Sequence, residues 1–127
     1  MTDTYKIPSQ TSIGHVHLKV SNLQRSLDFY CGMLGFEIKT LYGTDAAFIS
    51  AGGYHHHIGL NTWYSKGGAP APLKNAGLFH MAILYPTRKD LAMIYFRLQQ
   101  AAYPFTGYAD HGVSEALYVK DPDENGA

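Results

Sequence analysis

Two stretches of this chain are built alike, and that likeness limits the folds open to it. Residues 13–23 read Ile-Gly-His-Val-His-Leu-Lys-Val-Ser-Asn-Leu, and residues 78–88 read Leu-Phe-His-Met-Ala-Ile-Leu-Tyr-Pro-Thr-Arg. Each alternates as a strand does, holds a histidine in its third place and runs into a pattern of helical period. In the first, His15, His17 and Lys19 share one face and Val16, Leu18 and Val20 the other. In the second, His80, Ala82 and Leu84 oppose Phe79, Met81 and Ile83. A strand–helix unit met twice predicts two half-modules whose first strands take equivalent places.

The flanking patterns extend the repeat. Asn22 is a good helix N-cap, and Leu23, Leu27, Tyr30 and Leu34 follow as an apolar stripe that Gly35 stops. Short strands are expected over 36–41, 46–50 and 55–61, separated by turns at Gly43 and Gly52-Gly53. Residues 62–77 are rich in glycine, proline and lysine and read as a linker. In the second half Thr87 caps a helix, Asp90 completes a capping-box pattern, and Leu91, Ile94, Tyr95 and Leu98 form the buried stripe. Strands near 103–108 and 113–120 come next, and the chain closes on Asp-Pro-Asp-Glu-Asn-Gly-Ala.

The predicted fold is α+β: two βαβββ half-modules, 13–61 and 78–127, forming one half-open barrel domain over 13–127 after a lead-in at 1–12. By this count the second half is one strand short. An uncovered sheet edge favours self-association, so a homodimer is expected.

Composition narrows the function. Over 127 residues, ten basic and ten acidic side chains cancel, so no basic stripe points to nucleic acid or an acidic membrane. The charged share is 16% and the aromatic share 13%, with ten tyrosines, which suits an aromatic-lined pocket or interface. Cys31 is the single cysteine and reads as a small buried hydrophobe. With no leader pattern and no apolar run of spanning length, a cytoplasmic protein is expected.

Among residues able to carry chemistry, His15 and His80 come first. Each alone reads more readily as a core or surface histidine. Matched placement favours a shared divalent transition metal, with a carboxylate needed to complete a facial triad. His17 shares the face of His15, but position 82 is alanine, so His17 reads as a pocket liner. His55, His56 and His57 resemble a metal tract. Strand alternation lets only His55 and His57 look inward together, so His57 is expected to join His17 in the substrate pocket, leaving His56 to solvent. Asn61 and Trp63 line the rim or serve structure. His111 and Tyr118 flank the last strand and either manage protons beside a metal or fill the barrel mouth.

Residues 15–36, His-Val-His-Leu-Lys-Val-Ser-Asn-Leu-Gln-Arg-Ser-Leu-Asp-Phe-Tyr-Cys-Gly-Met-Leu-Gly-Phe, resemble the opening motif of the vicinal oxygen chelate superfamily. That superfamily includes glyoxalase I, extradiol dioxygenases and bleomycin or fosfomycin resistance proteins. Residues 54–63 and 110–126 look most like catechol 2,3-dioxygenase relatives. The resemblance implies metal ligands at His15 and His80, with a glutamate expected just after Ala127. It also implies a catalytic tyrosine at Tyr118 and an acid–base histidine near His111. The implied activity is extradiol cleavage of a catechol-like small aromatic substrate with O2, using Fe(II), or else Mn(II), Ni(II) or Zn(II). Two alternatives stay open: a glyoxalase-type lyase or isomerase, and a metal-free protein that sequesters a small aromatic ligand.

Overall fold

A computed structural model describes residues 4–112 and 114–127. Its strands and helices run in the order β1 (Val16–Lys19), α1 (Leu23–Leu27), a π-helical turn (Asp28–Met33), β2 (Glu37–Tyr42), β3 (Ala46–Ser50), β4 (Ile58–Asn61), α2 (Arg88–Gln100), β5 (Phe105–Asp110) and β6 (Glu115–Val119). The architecture is mixed α+β, as expected, and its sheets stay open rather than closing into a barrel. One sheet has four strands in the order β1-β4-β3-β2; β5 and β6 form a separate hairpin.

The first sheet follows from alternation. Leu18 of β1 and Val20 just after it, Ala47 and Ile49 of β3, and Ile58 and Leu60 of β4 point into the core. His15, His17 and Lys19 stay on the exposed side. β1 pairs with β4 in parallel, from Val16 opposite Ile58 to Lys19 opposite Asn61. β3 lies antiparallel to both β2 and β4.

The first helix begins where its cap predicts, with the Asn22 side chain accepting from the Arg25 N–H at 2.9 Å. It does not stay α-helical. Over the wider turn Asp28–Met33, adjacent Phe29 and Tyr30 are both buried. Arg97 of α2 then forks onto that turn, its Nε donating to the Met33 carbonyl at 2.9 Å and its Nη2 to the Gly32 carbonyl at 2.8 Å. α2 starts at its Thr87 cap and buries Leu98, while Leu91, Ile94 and Tyr95 are only half-buried.

Two expected strands change. The segment 78–84 is not a strand; it pairs only at His80, which meets Gly126 in a single parallel bridge. Its alternation survives, with Met81 and Ile83 half-buried and His80, Ala82 and Leu84 exposed. A strand needs a partner along its length, and here the partner is Gly126 alone. The expected strand over 55–61 begins at Ile58, so the three histidines before it lie in a bend. Val113, expected to start the last strand, lies outside the described residues.

The closing turn ties the halves together. Buried Asp121 accepts from the Tyr30 hydroxyl at 2.7 Å, from the backbone N–H groups of Asp123 and Asn125, and from the Asn125 amide. Asp123 accepts from the Ser21 N–H and from Arg25 at 3.0 Å. This sets Gly126 between His80 and Lys120, bridged to both. A Cβ on Gly126 would stand 2.6 Å from the Phe79 carbonyl oxygen and 2.7 Å from the His80 Cβ, so the close approach requires glycine there. No helix among the described residues is long and apolar enough to cross a membrane.

Candidate functional site

The two histidines of matched placement, His15 and His80, sit in different surroundings. His15, on the exposed side just before β1, packs its ring 4.3 Å from that of His56 and 6.3 Å from that of His55. His80 lies in the second half, its ring 6.3 Å from Tyr118. The segment 81–86 is a wall shared by two cavities: one of about 500 Å³ that His15 and His57 line, and one of about 610 Å³ that His80 and Tyr118 line. Leu91, Ile94 and Leu98 of α2 floor the larger cavity. Among the described residues no ring contact joins His15 to His80. Nor do three histidine, cysteine or carboxylate side chains there stand ready to hold an ion. Two imidazoles fall short of the three protein ligands that a facial triad supplies.

On the open face of the first sheet the expected pocket residues do meet. The Asn61 side-chain oxygen accepts from the Trp63 N–H at 3.0 Å, which turns its amide nitrogen toward the His17 Nε2 at 2.8 Å. An amide N–H donates, so His17 accepts at Nε2 and carries its proton on Nδ1 when neutral. The ring lies over Gly59, where a Cβ would come within 2.8 Å of Nδ1. The rings of Phe48 and Trp63 flank it at 5.7 Å and 5.9 Å.

His57, grouped with these residues from sequence, is held elsewhere. Its Nδ1 accepts from the Ala51 N–H at 3.2 Å and contacts the Ser50 hydroxyl at 3.1 Å, while Tyr54 stacks on its ring at 4.7 Å. The histidine expected in solvent, His56, is the one that turns in. It is half-buried between His15 and Phe48, and its Nε2 is buried without a partner. Partial burial, then the nearby imidazoles led by His15, hold its pKa below the ordinary histidine value. Alternation misassigned the tract because a bend has no two-residue period. Sequence reasoning also missed Phe48, whose place opposite Thr40 on β2 follows only from strand pairing.

Near the second-half cavity, Tyr118 is partly exposed and its ring packs over Gly107. His111 lies beyond β5, its backbone N–H bonded to the Ser114 carbonyl. Among the described residues no ring contact or hydrogen bond joins its imidazole to Tyr118 or His80.

A family model described as the Glyoxalase/Bleomycin resistance protein/Dioxygenase superfamily matches residues 12–126. The chain belongs to that superfamily. It is 40% identical over 117 residues to the catechol-2,3-dioxygenase of Bacillus subtilis (strain 168), covering 91% of this chain and 39% of that protein. Biphenyl-2,3-diol 1,2-dioxygenase 2 of Rhodococcus globerulus is 31% identical over 116 residues, with 87% of this chain and 57% of that protein covered. The chain therefore spans less than two thirds of the length of these curated relatives. Among solved structures, a glyoxalase/dioxygenase from Nostoc punctiforme superposes with a TM-score of 0.75 at 16% identity, covering 99% of this chain and 94% of that one. A lactoylglutathione lyase from Agrobacterium tumefaciens gives 0.71 at 20%, covering 95% and 92%. At such identities the structural likeness speaks for the fold alone.

Proposed function

We propose that the chain takes part in extradiol cleavage of a catechol-like aromatic diol with O2, as a metal-dependent oxidoreductase of the catechol 2,3-dioxygenase kind. The observation that carries this reading is the 40% identity to a catechol-2,3-dioxygenase across 91% of the chain. Glyoxalase-named structural neighbours share only the fold.

In this reading His15 and His80 are the two imidazole ligands of a divalent metal, Fe(II) before Mn(II), Ni(II) or Zn(II). The ion, when bound, supplies the Lewis-acid and electron-transfer chemistry. The third, anionic ligand in this reading is the glutamate that the resemblance implies just after Ala127. Tyr118 holds or releases a proton at its phenol oxygen beside the larger cavity, and His111, next to the cavity-lining Gly112, serves as the acid–base histidine. His17, Asn61 and Trp63 present a ring face and a fixed hydrogen-bond array to an aromatic ligand, with His57 bracing the adjacent bend. A two-copy assembly is part of the reading.

A second reading, metal-free sequestration of a small aromatic molecule, draws on the larger cavity's apolar floor and on the two-imidazole limit. Anaerobic loading with Fe(II), then catechol and air, separates the two. Yellow ring-fission product is the expected result, and His80→Ala should abolish both iron retention and colour. Iron bound without product would overturn the extradiol reading. Catechol bound with no metal and no turnover would establish sequestration.

A further inference from the structure

We infer that His55 and His56 form a separate two-nitrogen binding site for an imidazole-preferring divalent cation such as Cu(II), Ni(II) or Zn(II). Their Nδ1 atoms lie 2.8 Å apart, the length of a hydrogen bond, so one nitrogen carries the proton the other accepts. Two imidazole nitrogens sharing one proton are arranged much as two nitrogens sharing a cation. Metal–nitrogen bonds of about 2.0–2.1 Å at a tetrahedral angle set the two donors about 3.3 Å apart. Opening the pair by roughly half an ångström is within the reach of exposed side-chain torsions.

The surroundings pick these two rings out of three consecutive histidines. His57 adds no Nδ1 to the pair, because that nitrogen already accepts from the Ala51 N–H. Tyr54 stacks on His55 at 4.2 Å and on His57 at 4.7 Å, holding the bend that brings neighbours together. His15 packs 4.3 Å from His56 and 6.3 Å from His55, ring to ring, and is the nearest further imidazole. Since no three donors among the described residues converge, water completes the coordination shell. When a cation binds, the Nδ1 proton of one ring moves to its Nε2 and no proton is released overall. A set of imidazoles with no carboxylate suits copper, nickel and zinc, while magnesium, calcium and manganese favour oxygen ligands.

This site shares no ligand with the His15–His80 pair of the proposed function, His15 packing beside it on His56, and calorimetric titration with Cu(II) and with Mg(II) tests it directly. His80→Ala, which lacks the proposed catalytic ion's ligand, should still bind one Cu(II) at this site, with the affinity the site has in the wild type; Mg(II) should give no heat. The His55→Ala/His56→Ala protein should bind Cu(II) roughly tenfold or more weakly, at least the loss that follows from merely disturbing a ligand's supporting shell. His55 is exposed, so His55→Ala alone gives the same readout if the double variant misfolds by circular dichroism. Undiminished Cu(II) affinity without His55 overturns the site. So does loss of Cu(II) binding in His80→Ala, which would assign the ion to the paired-strand histidines and leave the proposed function intact.

Discussion

In the first half of the molecule the strand after His15 is paired with β4 along four residues, whereas in the second the segment carrying His80 meets Gly126 at one bridge. The two segments alternate equally well in sequence. What separates them is the supply of partners. β4 satisfies the backbone of β1 and buries Ile58 and Leu60 against it, while 81–86 has a cavity on each side. Pattern alone orients side chains; hydrogen-bonded neighbours make the strand. A histidine on the paired strand is held among other rings, and one on the unpaired segment stands beside a cavity.

Core truncations should expose that contrast most sharply. Ile49 is fully buried between sheet and helix, so Ile49→Ala should cost about 4 kcal/mol in chemical denaturation. Ile83, half-buried on the unpaired wall, should cost about 1 kcal/mol when cut to alanine. Equal losses would mean that the second half packs as tightly as the first.

A smaller effect is expected where the halves are tied. Asp121→Ala strands the Tyr30 hydroxyl and two backbone N–H groups, for a loss of about 3 kcal/mol. Hydrogen exchange should show His80–Met81 losing its protection along with Gly126. If protection at Met81 is unchanged, the turn is not what holds that bridge.

The smallest expected effect depends on pH. Burial and the nearby Asp121 charge push the Tyr103 phenol up to about 12, with the Arg25 charge opposing them. Its folded value exceeds its unfolded one, so the stability it lends is complete below about pH 10 and is lost as pH rises toward 12. Solvent screening of this partly exposed group reduces the contribution to roughly 1 kcal/mol. Tyr103→Phe should flatten alkaline melts by that amount, and an unchanged alkaline slope would remove the phenol from the account.

Local features were legible in the residues themselves. The caps at Asn22 and Thr87 formed as their side chains predict, and the two faces of 15–20 and 80–84 sorted as alternation requires, while Phe79, expected on the buried face, is exposed. His17, Asn61 and Trp63 came together because strand pairing sets Lys19 beside Asn61 and so brings His17 near. The histidine tract was misread because its residues lie in a bend, and the π-helical turn left no mark on the apolar spacing.

Sequence by itself determined the family, the two helix caps and the side of the first strand that carries His15 and His17, since those rest on residue order and on interactions a few positions apart. The tertiary structure alone decided that Tyr30 meets Asp121, that Arg25 meets Asp123, and that His15 faces His56. Those contacts join distant parts of the chain, and they form only where packing offsets the entropy of closing the loops between them.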